Sequence, residues 1–173
     1  MTDHINNALQ YLELKDTLLA AEFGCGMADF TLALAKKLDK GRIYALDIQA
    51  EKLSALKGRI TIAKVNNIIP ILCDLEANNG STLHDHSLDI VVIPNVLFQT
   101  ENKSAILKEA IRILKLGGQL MIIDWLKEGP FSPKEGMVSP NDVKKMADEL
   151  GLSLRREFAV GEYHYGLLFI TSI

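Results

Sequence analysis

Small residues at Gly24, Gly26 and Ala28 interrupt the stretch Glu22-Phe23-Gly24-Cys25-Gly26-Met27-Ala28, and an acid, Asp47, stands 21 positions beyond Gly26. Residues that small let a ligand approach the main chain closely. A helix starting at residue 28 adds unpaired amide donors and a partial positive charge. In open α/β sheets, ligands bind at the carboxyl ends of the strands. A carboxylate at the end of the next strand can take both hydroxyls of a ribose, each charge-assisted bond contributing roughly 1.5–3 kcal/mol. Other reactive types read more blandly. Cys25 and Cys73 are small packing residues rather than nucleophiles. His84 and His86 flank Asp85 in a polar stretch without further ligands, so no metal is expected. His4 is expected in solvent.

Apolar runs and helical patterns alternate around these residues. Asp3–Leu14 reads as a short amphipathic helix, Thr17–Phe23 as a strand, and Ala28–Leu38 as a helix with apolar residues at three-and-four spacing. Arg42–Asp47 is a strand, Ala50–Lys64 a helix, Ile68–Cys73 a strand, and Leu75–Ser87 a polar loop with an Asn-Asn-Gly turn. Leu88–Ile93 is a β-branched run suited to a buried parallel strand. Asn102–Lys115 is an amphipathic helix with Gly117-Gly118 as its stop signal, and Gln119–Trp125 is a strand. Leu126–Val138 holds Gly129, Pro130, Pro133 and Gly136 and reads as a loop. Ser139-Pro140-Asn141-Asp142 starts a helix that ends at Gly151. Leu152–Val160 and Gly166–Ser172 are strands joined by Gly161–Tyr165, too short a connection for a crossover, so they form an antiparallel hairpin. Right-handed crossovers then give a three-layer α/β sandwich. Its seven-stranded, Rossmann-like sheet is mostly parallel, with one antiparallel strand in the C-terminal hairpin.

The 173 residues are 48% hydrophobic and 24% charged, with net charge −3. That length and composition predict one globular domain over residues 1–173. Two cysteines are too few for a disulfide scaffold. The acidic balance disfavours nonspecific nucleic-acid binding. No apolar run reaches membrane-spanning length. The start MTDHINNALQ lacks a signal peptide's basic and apolar regions, so a cytoplasmic protein is expected.

Two cofactor patterns compete for the glycine loop. The dinucleotide fingerprint needs a third glycine at position 29, where this chain has Asp29, an acid that would repel a pyrophosphate. The pattern acidic-x-Gly-x-Gly-x-small instead resembles motif I of class I S-adenosylmethionine-dependent methyltransferases. Further residues follow in order: Cys73-Asp74-Leu75, then Leu88–Ile93 with Pro94-Asn95, then Ile106–Trp125 with its glycine pair. The Asp-Trp strand ending and the Ser-Pro-x-Asp helix start look most like the small-molecule, ubiquinone/menaquinone-biosynthesis-type (type 11) branch. The resemblance implies S-adenosylmethionine as cofactor. It implies that Glu22 helps fix the methionyl amino group and that the backbone of Gly24, Cys25 and Gly26 passes beneath the cofactor. Asp47 with Ile48 would hold the ribose end, and Cys73, Asp74 and Leu75 the adenine. Asn95 would line the reaction chamber. Ala28 stands where the family usually has glycine.

Methyl transfer from a sulfonium is an in-line displacement, so alignment and desolvation dominate. A base is needed only if the acceptor must lose a proton. Candidates near the acceptor are Asn95, Gln99, Asp124 and Trp125, and the hairpin turn adds Tyr163, His164 and Tyr165. Asn95, Asp124 and His164 are the catalytic candidates. The Leu126–Val138 loop is the candidate lid. Pro94-Asn95 is not the Asn/Asp-Pro-Pro-aromatic motif of amino-methylating nucleic-acid enzymes, and no Pro-Cys pair is present, which favours a small-molecule acceptor. The short region before the first strand leaves the pocket open, capped by a second copy in a homodimer, or filled by a large acceptor. The alternative from another class is a noncatalytic scaffold or partner subunit, which would show an exposed apolar patch in place of a lined cavity. A nicotinamide-dependent oxidoreductase comes third.

Overall fold

The computed structural model describes residues 2–172. Its strands are β1 (Leu19–Phe23), β2 (Arg42–Asp47), β3 (Ile68–Leu72), β4 (Leu88–Pro94), β5 (Leu114–Trp125), β6 (Leu152–Val160) and β7 (His164–Thr171). The helices are α1 (Thr2–Leu9), α2 (Asp29–Lys37), α3 (Ala50–Ala63), α4 (Lys103–Ile113) and α5 (Pro140–Glu149), with a 3-10 turn at Leu97–Gln99.

The seven strands form one sheet in the order β3-β2-β1-β4-β5-β7-β6. β3 through β5 pair in parallel; β7 runs antiparallel to both β5 and β6. Period-two patterning explains the layers. On β4, Ile90 and Val92 pack on one face with Leu9, Leu34 and Leu56 of the α1–α3 layer. Val91 and Ile93 pack on the other with Leu107, Ala110 and Val143 of α4 and α5. β5 repeats the alternation: Met121 and Ile123 join the first layer, Leu120 and Ile122 the second. The three-layer expectation holds.

Three local expectations do not. Gly117-Gly118 does not cap α4. The helix ends at Ile113, Leu114 is already extended, and the sheet register shifts between Leu88–Leu114 and Ile90–Gln119, so the glycines belong to an irregularity inside β5. Gly117 takes the left-handed conformation there (φ +74°), and Thr171 fastens it: the Gly118 amide donates to Thr171 Oγ1 at 2.9 Å. Secondly, α1 stops at Leu9 rather than Leu14. Thirdly, the hairpin is tighter than the expected five-residue link. His164 pairs with both Trp125 and Val160, so His164 and Tyr165 are strand residues. At the start of α5, Ser139 Oγ accepts from the Asp142 amide at 3.1 Å, with Pro140 in the first turn, as the sequence predicts.

Candidate active site

β1, β4 and β5 are neighbours in the sheet, and the loops leaving their carboxyl ends shape one cavity of about 1040 Å³. The β1–α2 loop supplies Gly24, Cys25, Gly26, Met27 and Ala28, and Glu22 lies beneath it. The loop is held in shape from β2: the amides of Gly24 and Cys25 donate to the Leu46 carbonyl at 2.8 and 3.0 Å. Gly24 is required twice over. Its φ is +72°, and a Cβ there would meet Val96 Cγ2 at 2.6 Å. Ala28 takes the left-handed conformation too (φ 63°) and has no side chain to cap α2, so the first amides of that helix open on the cavity.

Asp47 is buried beside this loop. Its Oδ2 accepts from the Gly26 amide at 3.1 Å and the Cys25 thiol at 3.8 Å, and Oδ1 accepts from the Gln49 amide at 2.9 Å. A carboxylate has about four acceptor sites, so capacity for a further hydroxyl remains. Glu22, 2% exposed, accepts from the Thr31 hydroxyl. Burial pushes its carboxyl up to about 8; the Thr31 bond opposes the shift, and the nearby acids Asp29 and Asp47 add to it. Burial likewise lifts the thiols of Cys25 and Cys73 to about 12, so neither is a ready nucleophile. Asp29 lines the cavity and accepts from Arg59 Nη2 at 2.7 Å.

Asn95 follows β4 in the left-handed conformation (φ 57°) and lines the cavity. Its main chain is fully engaged: the amide donates to the Ile123 carbonyl at 2.7 Å and the carbonyl accepts from Gln99 Nε2 at 2.8 Å. Its side-chain Oδ1 is buried with no partner. An orphaned acceptor on a residue that lines a cavity suits a ligand that brings a donor.

The remaining candidates are scattered. Asp124 is fully buried and does not line the cavity. Its Oδ2 accepts from the Phe98 amide at 3.3 Å and Oδ1 from its neighbour's, Trp125, at 2.8 Å. It thereby positions the turn that carries Phe98 to the wall, and burial raises its carboxyl to about 6. His164, Trp125, Tyr163 and Gln99 line the cavity; Tyr165 faces the opposite core and donates to the Val138 carbonyl at 3.1 Å. Ile48, Cys73, Asp74 and Leu75 do not line the cavity, and Asp47 adjoins it only through its bonds to Gly26 and Cys25. Ile48 is 65% exposed at the end of β2, next to Leu72 at the end of β3. Asp74 is exposed, and its Oδ1 accepts from the Glu76 amide at 2.9 Å, a local turn. Leu75 is buried in the core. Sequence reasoning missed His4 and Ile5 of α1, Phe98 and Phe131 as wall residues. Only Phe131, inside the expected lid loop, had a signal. His4 is exposed, as expected, but at the cavity mouth.

The sheet order, the glycine loop at β1 and the acid at the end of β2 define a Rossmann-like class I methyltransferase fold. A family model described as a methyltransferase domain matches residues 15–158, and the chain belongs to that family. It is similar to the ubiquinone/menaquinone biosynthesis C-methyltransferase UbiE of Hydrogenovibrio crunogenus, 29% identical over 123 residues, covering 70% of this chain and 47% of the relative. It is also similar to ribosomal RNA-processing protein 8 of Arabidopsis thaliana, 27% identical over 157 residues, covering 90% of this chain and 46% of the relative. The chain thus spans about half the length of the curated relatives it matches. In structure it is similar to a SAM-dependent methyltransferase from Aquifex aeolicus, with a TM-score of 0.85 at 22% identity over 96% of this chain and 88% of that one.

Proposed function

We propose that this chain transfers a methyl group from S-adenosylmethionine to a small-molecule acceptor. The observation that carries the reading is the continuity of the cavity, from the glycine loop and Glu22 to the aromatic side chains of Phe98, Trp125, Phe131 and Tyr163. Bound there, the cofactor supplies an activated methyl group on a sulfonium. The chain's own residues fit it. Gly24 keeps the approach open, the α2 amides and the unpartnered Asn95 side-chain Oδ1 offer polar partners, and Glu22 is an acid that a cationic amino group would ionise. Asp47 has acceptor capacity left for a ribose, and Ile48 with Leu72 offers an exposed apolar surface beside it for a flat base. Arg59 neutralises Asp29 at the helix start, where a dinucleotide would need a glycine.

The name of the Hydrogenovibrio relative and the apolar aromatic wall favour a small acceptor. The name of the Arabidopsis relative makes an RNA acceptor the competing outcome, against which the net charge of −3 argues. Among the described residues no helix is long and apolar enough to cross a membrane. The test is calorimetric titration with S-adenosylmethionine and S-adenosylhomocysteine, with Asp47→Ala as control, followed by methyl-transfer assays on small acceptors and on RNA. Micromolar binding lost in the variant is expected. A folded chain that binds neither compound overturns the reading and leaves the scaffold.

A further inference from the structure

His164 stands at the other end of the cavity from the glycine loop. β7 lies three strands from β1, which at about 4.8 Å per strand is about 14 Å across the sheet. If the proposed function holds and the cofactor occupies the glycine loop, the hairpin end is the space left for an acceptor. His164 is fixed there by its register with Trp125 on one side and Val160 on the other. Its ring stacks on Trp125, with centroids 4.1 Å apart and planes inclined by 37°. The imidazole is half-buried, placed by its strand register, and its nitrogens carry no protein hydrogen bond among the described residues, so they are free to meet a ligand.

We propose that His164 is the proton acceptor of the acceptor subsite, and that the acceptor therefore belongs to the class whose attacking atom carries a proton, a hydroxyl or an enolisable carbon, rather than a tertiary amine or a thioether. This rests on the proposed function. The imidazole nitrogen takes the proton released by the acceptor, whose electron pair forms the new bond to the methyl carbon. The carbon–sulfur pair stays on sulfur as a neutral thioether, and the imidazolium returns its proton to water at the mouth.

The surroundings keep the ring neutral and ready. Burial holds the imidazole below its ordinary value, and His4 of α1, packed by Gly161 at the turn, pushes the same way. The other titratable groups lining the cavity are Glu162 and Tyr163 on the turn, and Glu22, Cys25 and Asp29 at the far end. Glu162 is paired with Lys127 at 3.3 Å, and the same ammonium stands 5.4 Å from the Tyr163 ring centre. No carboxylate is hydrogen-bonded to the ring among the described residues.

The test separates this inference from the reading on which it rests. Calorimetry with S-adenosylhomocysteine tests that reading alone, and His164→Gln binds it within about twofold of wild type. With S-adenosylhomocysteine bound, 4-nitrophenol is the acceptor probe, because its phenolate absorbs in the visible. Above the free phenol's own transition the probe is already phenolate, the charge that proton removal leaves, and wild type is expected to bind it at least threefold more tightly than His164→Gln, while the bound phenolate moves the titration of the His164 ring protons, followed by nuclear magnetic resonance, to higher pH. His4→Gln is the second variant. It is expected to keep the phenolate affinity while the His164 ring protons titrate at higher pH even without the probe. A phenolate affinity equal in wild type and His164→Gln, or phenolate binding to neither while S-adenosylhomocysteine binds, overturns the inference.

Discussion

Glu22 offers the sharpest test of the site's electrostatics, because its burial has a computable consequence for stability. The carboxyl is 2% exposed and accepts the Thr31 hydroxyl, and desolvation raises it from 4.5 to about 8. In the unfolded chain it ionises near 4.5; in the folded chain it keeps its proton until about pH 8. Between those values the folded state binds the extra proton, so stability falls as pH rises, by about 1.4 kcal/mol per unit. From 4.5 to pH 7 is two and a half units, or about 3 kcal/mol. Glu22→Gln keeps the acceptor for Thr31 and removes the titration. The difference in unfolding free energy between variant and wild type is therefore small at pH 4.5 and grows to about 3 kcal/mol in favour of the variant at pH 7. Urea unfolding of both proteins at pH 4.5, 5.5, 6.5 and 7 measures it. Asp124 also titrates, raised to about 6 by burial, but it is common to both proteins and cancels in the difference. Parallel stability curves across this range would refute the protonated Glu22. The same proton makes a second readout. A cationic cofactor favours the carboxylate, so binding near pH 6.5 should release close to one proton in wild type and fewer in Glu22→Gln. Titration in buffers of different ionisation enthalpy reads this directly.

Three further outcomes follow from the geometry. Asp47→Ala removes the acceptor of the Gly26 and Gln49 amides; with a charge-assisted bond contributing roughly 1.5–3 kcal/mol, S-adenosylhomocysteine affinity should fall at least about tenfold by calorimetry. Gly136→Ala places a Cβ 2.2 Å from the Phe98 carbonyl at a φ of +85°, so the 126–138 loop must shift; KM for the acceptor should rise while S-adenosylhomocysteine binding stays within about twofold. Arg112→Met removes the partner of Glu109, 5% exposed and bonded to Arg112 at 2.7 and 2.9 Å, at a cost of about 3–5 kcal/mol in urea unfolding, and Arg112→Met/Glu109→Leu should recover only part of it, because the buried Ser81 amide then loses its acceptor.

How much of this was legible in the sequence depends on whether the information is local. The alternation at Ile90–Ile93 and Leu120–Ile123 identifies strands buried on both faces, because a period of two is a property of adjacent residues. Ser139-Pro140 marks a helix start for the same reason. Gly117-Gly118 misled because a glycine pair serves a helix cap and a strand irregularity equally well; the choice lies with Thr171, 53 residues away, whose hydroxyl takes the Gly118 amide. The site divides along the same line. The glycine loop is contiguous and carries its own signature. The hairpin end is built by α1, β5 and β7, and nothing near His4 announces that its ring packs by Gly161. Asp124 shows the opposite error: at the end of a central strand it had the address of a catalytic acid, but the amides of Phe98 and Trp125 turn its carboxylate away from the cavity.

The same contrast bears on which residues can take a proton from an acceptor. Asp124 titrates in a useful range but is fully buried, does not line the cavity and is already engaged by two amides. Glu22 lines the cavity but stays protonated to about pH 8, at the end where the cofactor is proposed to bind. The thiols are lifted to about 12. His164 combines a basic nitrogen, an unengaged ring and a place on the aromatic wall. If transfer to a hydroxyl acceptor proceeds in His164→Gln with an unchanged pH profile, proton removal must fall to water at the mouth, and the cavity's contribution reduces to alignment and desolvation.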